Sequence, residues 1–114
     1  MVMCDRATLN LIKKEIADSC HNVFGDSLVS VLLYGSYARG DYDEYSDVDI
    51  AAIVKGERLD LQKKLETVWD RANEVGLEYD IVISPTVIPE DEFNKYLSTS
   101  GYYKNIATEG VRIG

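Results

Sequence analysis

Two apolar runs that meet one short polar stretch constrain this chain more than anything else in it. The first, residues 27–34 (S-L-V-S-V-L-L-Y), stops at Gly35-Ser36. After ten intervening residues, 37–46, Asp47 and Asp49 lead a second run that ends at Val54. Each run has the length of a strand, and glycine and polar residues bound both. Residues 27–34 are apolar at nearly every position, which predicts a strand covered on both faces. In the strand 47–54, side chains alternate. Asp47 and Asp49 share one side, while Val48, Ile50, Ala52 and Val54 take the other and enter the core. Ser36–Arg39 reads as a short helical turn ended by Gly40, and residues 41–46 as a polar loop.

This arrangement has a chemical meaning. A strand that feeds a helical turn through glycine suits an anion, because backbone N–H groups and the helix dipole both point there. Two carboxylates spaced by one residue suit a hard cation. Together they predict a site where a metal-bound nucleoside triphosphate is held and attacked.

The remaining chain reads as support. Residues 5–24 form a helix whose Leu9, Ile12, Ile16, Cys20 and Val23 share one face, with Asp5 as cap and Gly25 as stop. His21 falls near its end, where a cation is mildly favourable. Residues 57–75 form a second helix, with Leu61, Leu65, Val68, Ala72 and Val75 inward and Gly76 as stop. Trp69 borders that apolar face and is expected to pack in the core. Residues 78–84 (E-Y-D-I-V-I-S) read as a third strand ended by Pro85. Pro89 opens a short helix with Phe93, Tyr96 and Leu97 on its apolar face. A last helix carries Tyr103 and Ile106 and stops near Gly110. The expected fold is α/β (α+β): one domain, residues 1–114, with a small mixed sheet of three to four strands packed against helices.

Asp80 is an acid in an otherwise apolar predicted strand, and acids are rarely placed there without a partner or a task. If the second and third strands are neighbours, Asp47, Asp49 and Asp80 converge. Magnesium is usually held by a few carboxylates plus substrate phosphates. Two ions about 3.5–4 Å apart can stabilise attacking and leaving oxygens. The expected roles are Asp47 and Asp49 as metal ligands and Asp80 as the third ligand and proton acceptor. Gly35 and Ser36 hold the triphosphate.

Other chemistries fit less well. Gly35 to Gly40 has the glycine spacing of a P-loop, but Asp41 replaces its lysine and Tyr42 its hydroxyl residue. The loop opens like an EF-hand, but Ser46 stands at the turn glycine and Ala52 at the closing glutamate. Two cysteines, Cys4 and Cys20, and one histidine give neither a zinc site nor a disulfide framework. A net charge of −8 without a basic stripe argues against nucleic acid as the main ligand. The N-terminus does not read as a signal peptide, and no apolar run approaches the roughly 20 residues that span a bilayer. The expectation is a cytoplasmic protein with no membrane partner.

G-S-Y-A-R-G followed by S-D-V-D resembles the polymerase beta-like nucleotidyltransferase superfamily, specifically its minimal nucleotidyltransferase (MNT) branch. The resemblance runs from about Asp26 to Ile83, and the closing Y-Y-K-N-I-A-T-E-G-V is similar to the tail of that branch. It implies phosphate binding by Gly35 and Ser36, magnesium binding by Asp47 and Asp49, and a triad completed by Asp80. Arg39 and Ser46 also match commonly seen positions. Arg39 would contact phosphate or pair with the acidic loop. Small relatives resemble antitoxins paired with HEPN-type RNase toxins, in which AMP passes from ATP to a tyrosine of the toxin. The expected activity is therefore magnesium-dependent transfer of AMP from ATP to a hydroxyl of a helical partner protein.

Two alternatives stand beside it. One is an antitoxin that binds nucleotide and acts by occlusion without catalysis. The other is transfer to a small molecule of the aminoglycoside type. Tyr37, Tyr42 and Tyr45 flank the expected site, where packing is favoured over base stacking or self-modification. Apolar surface on the terminal helices would suit a partner or an oligomer.

Overall fold

The computed structural model describes residues 5–114; Cys4 lies outside them. Helix α1 (Arg6–Phe24) starts where the Asp5 side chain accepts the Thr8 N–H at 2.7 Å. It ends at Gly25, whose φ of 57° turns the chain and whose N–H reaches the His21 carbonyl. Ile12, Ile16, Cys20 and Phe24 are buried. Burial pushes the Cys20 thiol up to about 12, so this cysteine behaves as a small core residue.

Among the described residues four strands form one sheet in the order β3-β2-β1-β4. Strand β1 (Leu28–Tyr34) lies antiparallel to β2 (Val48–Val54), and Tyr34 pairs with Asp49 at the end near the predicted site. Helix α3 (Arg58–Tyr79) crosses over to β3 (Ile83–Pro89), which lies parallel to β2 with Asp49 beside Ser84. The short β4 (Val111–Arg112) pairs with Leu32 and Leu33 of β1.

The sheet buries side chains on both faces. Val31, Leu33, Val48, Ile50, Ala52, Val54, Ile83 and Val87 pack with α1 and α3. Ala51, Ile53 and Ile88 pack on the opposite face against Ile106, with Phe93 and Tyr103 around them. Those residues belong to α4 (Glu90–Tyr96) and α5 (Gly101–Glu109). Alternation along β1 puts Val31 and Leu33 in the first cluster and Leu32 and Tyr34 in the second, and a bulge between Leu28 and Ser30 reverses that parity, so that Leu28 joins the first and Val29 the second.

Three local expectations need correction. Gly76 does not stop α3, which continues to Tyr79 and ends at Asp80 in the left-handed conformation (φ 54°). The Ile81 and Asp80 N–H groups both reach the Gly76 carbonyl, the signature of a Schellman-type ending. The third strand therefore begins at Ile83 rather than residue 78, and Pro85 lies inside it. Proline is tolerated there because β3 is an edge strand: among the described residues β2 lies on one side of it and no strand on the other. Trp69 is not a core residue: 38% of it stays exposed beside Leu65 and Glu66.

Candidate active site

The site is built where β1 turns away from β2. Gly35 has φ 74° and ψ −156°, a backbone region open essentially to glycine alone. The chain then passes directly over the Asp49 carboxylate. A Cβ placed on Gly35 would sit 2.5 Å from Asp49 Oδ2. Glycine is thus required twice, for its backbone angles and for the missing side chain. Helix α2 (Ser36–Arg39) follows at once, with Ser36 at its head, and ends at Gly40 with φ 88°. The predicted Gly-Ser turn and the second aspartate of the pair are therefore in contact distance through backbone and carboxylate.

Asp49 is half-buried on the second residue of β2, and Asp47 is exposed just before the strand begins. The face they share continues into Ala51 and Ile53, beneath α4 and α5. Burial raises the Asp49 pKa above the usual carboxylate value, the Asp47 charge adds to that rise, and Arg39 opposes it. Two anionic groups are thus held close at some electrostatic cost. A divalent cation would relieve that cost, and two carboxylates plus phosphate oxygens are the donor set magnesium prefers. The residues present fit the ion.

Two other predicted residues have protein partners. Arg39 donates from Nε to Asp41 and from Nη1 to Glu109, both at 3.2 Å. These partly exposed ion pairs give the guanidinium two carboxylate partners and push its pKa up. Ser46 organises the acidic loop. Its Oγ accepts the Asp43 N–H at 2.9 Å, and its own N–H reaches the Asp43 carbonyl. Tyr37 is buried and stacks on Tyr42 with ring centroids 4.3 Å apart, while Tyr45 stays exposed.

Asp80 stands apart. It caps α3 beside Asn73, Gly76 and Leu77, not on a strand as expected. Among the described residues no three His, Cys, Asp or Glu side chains converge as a metal group, so the expected three-carboxylate cluster is not assembled. Asp80 is nonetheless close in sequence to the pairing that places Asp49 beside Ser84. Val48 donates to the Val82 carbonyl, two residues after Asp80.

Sequence reasoning missed Ser84, Glu109 and Tyr34 as neighbours of the site. Tyr34 pairs with Asp49, and its hydroxyl lies 2.8 Å from that of Tyr102. Burial and the Tyr102 hydroxyl keep its phenol protonated well above the usual range. A strand start at Ile83 would have revealed Ser84. Nothing local signals Glu109, which lies 70 residues from Arg39.

A mixed sheet with a glycine turn laid over one carboxylate of a D-x-D pair is a scaffold suited to a metal-bound nucleotide. The nucleotidyltransferase domain family model matches residues 13–113, and the chain belongs to that family. It is a nucleotidyltransferase. Two proteins of Methanocaldococcus jannaschii are similar along most of the chain. "Putative protein adenylyltransferase MJ0141" is 36% identical over 90% of this chain and 95% of its own length. "Putative protein adenylyltransferase MJ1305" is 43% identical over 76% of this chain and 60% of its own. Solved structures share the fold at lower identity. A chain of a toxin-antitoxin crystallised with AMP-PNP superposes with a TM-score of 0.57 at 18% identity, over 90% of this chain and 72% of that one. A chain from a tri-AMPylated HEPN toxin in complex with MNT antitoxin, from Shewanella oneidensis, gives 0.52 at 17% identity, over 91% and 70%. Among the described residues no helix is long and apolar enough to cross a membrane.

Proposed function

We propose that this chain transfers AMP from ATP to a hydroxyl of a partner protein, with a tyrosine of a HEPN-type toxin as acceptor. The observation that carries the proposal is the seating of the Gly35 backbone against Asp49, with Asp47 beside it. The names of the similar M. jannaschii proteins support protein as the acceptor class. The toxin-antitoxin structures support the partner and the antitoxin role.

Gly35 and Ser36 hold the phosphates of ATP at the head of α2. Arg39 lies one helical turn on, where its charge faces the same anion. Asp47 and Asp49 would hold magnesium, up to two ions, and Asp80 would join them as the third carboxylate when ion and nucleotide draw it in. Bound magnesium supplies charge neutralisation at the phosphates. The acceptor oxygen attacks the α-phosphorus, the bond to the bridging oxygen breaks, and pyrophosphate leaves. The acceptor proton passes to a carboxylate of the set. Positioning and charge compensation supply the rate enhancement. The residues act as one unit in the cytoplasm, bound to neither nucleic acid nor membrane.

One observation favours a second reading. Asp80 is not gathered with Asp47 and Asp49, which suits an antitoxin that occludes its partner with the site idle. Incubation with ATP labelled at the α-phosphate, magnesium and a cognate helical partner separates the two. Transfer that disappears in Asp47→Asn and Asp49→Asn supports the enzyme. Protection against the partner that survives Asp47→Asn, Asp49→Asn and Asp80→Asn together supports occlusion.

A further inference from the structure

The last helix is fastened to the site at both of its ends. At its start, the Tyr102 hydroxyl meets Tyr34, the register partner of Asp49. At its end, Glu109 accepts from Arg39 Nη1 at 3.2 Å. Between them Ile106 is fully buried against the sheet. Directly beyond Glu109, Gly110 closes on the Ile106 carbonyl and Val111 pairs with Leu33, two residues before Gly35. Glu109 therefore sits on backbone fixed on both sides. Asp41, the other partner of Arg39, belongs to a loop. Arg39 lies three residues after Ser36, on the same side of α2.

We infer that Glu109 is a positioning residue for nucleotide binding. It is the rigid half of a two-carboxylate clamp that fixes the Arg39 guanidinium beside the Gly35-Ser36 turn. This rests on the reading that the triphosphate binds at that turn. A guanidinium offers five N–H donors in a planar fork, so two can be spent on Asp41 and Glu109 while others remain for phosphate. Without Glu109 the side chain keeps its charge but loses its fixed direction, and the ligand must then order it on binding.

The test is calorimetric titration of the chain with magnesium and α,β-methylene ATP, which cannot be cleaved at the α–β position. Glu109→Gln is expected to weaken binding about three- to tenfold. It should leave the melting temperature essentially unchanged, because an ion pair this exposed contributes little to folding. Arg39→Ala should weaken binding at least as much, and Glu109→Gln added to Arg39→Ala should weaken it no further. The exchanged pair, Arg39→Glu with Glu109→Arg, rebuilds the ion pair but moves the guanidinium, so binding should stay weak. Wild-type affinity in Glu109→Gln, or full recovery in the exchanged pair, overturns the inference while leaving the transfer reading intact. Failure of the wild-type chain to bind the analogue overturns both.

Discussion

Gly35→Ala is the most demanding test of the site. The residue holds φ 74° and ψ −156°, where a non-glycine residue costs on the order of 1–3 kcal/mol. The new methyl would also stand 2.5 Å from Asp49 Oδ2. Non-bonded heavy atoms settle at about 3.5 Å or more, so the carboxylate must retreat by about 1 Å. Adding the strain of that shift gives a loss of about 2–4 kcal/mol. In a domain of this size about 1 kcal/mol corresponds to roughly 4 °C, so the melting temperature should fall by about 8–16 °C. The chain should still fold, because domains are stable by about 5–15 kcal/mol. Transfer, measured well below the new melting temperature, should fall by about 100-fold or more, since a misplacement of about 1 Å at a reacting centre costs that much. Gly40→Ala is the internal control. It too has a positive φ, but among the described residues nothing lies within 4 Å of its added methyl. It should cost about 1–2 kcal/mol and leave transfer unchanged. Near-wild-type transfer in Gly35→Ala, or equal damage from Gly40→Ala, would refute the reasoning.

Other outcomes follow from the same geometry. Asp49→Asn should abolish transfer yet stabilise the metal-free protein at neutral pH. The Asp49 pKa is raised on folding, so its favourable contribution is present below the unfolded value and is lost as pH rises through the folded one. The gap in melting temperature between the variant and the wild-type chain should therefore widen from about pH 4 upward. Gly76→Ala should destabilise by about 1–3 kcal/mol in denaturant unfolding despite alanine's better helix propensity, because its methyl would meet the Ile81 carbonyl at 2.5 Å. Asp80→Asn should fold as well as the wild-type chain, since asparagine also tolerates the left-handed conformation, while transfer falls at least about tenfold. Unchanged transfer there would reduce Asp80 to a helix cap. Tyr103→Phe removes the hydroxyl that donates to Glu92, itself bound to Arg58, and should cost about 1 kcal/mol in denaturant unfolding.

Local signals carried much of the site. The strand before Gly35, the turn after it and the parity of β2 depend on residue spacing and burial alone, and each lies where the pattern puts it. The end of α3 was harder to read. Gly76 has the composition of a helix stop, but its bare Cα instead admits the Ile81 carbonyl, and the helix runs on for one more turn. That misreading moved Asp80 from a cap onto a strand and hid Ser84. Pro85 reinforced the error, because proline is excluded from central strands, and only the sheet order shows β3 to be an edge. The Arg39–Glu109 pair could not be read at all: it exists because α5 folds back along β1 and delivers its last residue to α2.

Where folding is worked against also bears on function. Asp80 is the one non-glycine with positive φ among the described residues. The position after a helix end favours glycine, which adopts this conformation without steric cost. An aspartate there is less stable than a glycine, a cost that a functional carboxylate would account for. Asp49 carries such a cost by another route, half-buried beside a like charge. The two costs fall at the starts of neighbouring parallel segments, one in backbone angle and one in electrostatics. A divalent ion with a polyphosphate would offset the second directly. If it also draws in Asp80, the strained cap is what keeps that carboxylate near the N-terminal edge of the sheet. Magnesium and nucleotide together should then raise the melting temperature of the wild-type chain more than that of Asp80→Asn.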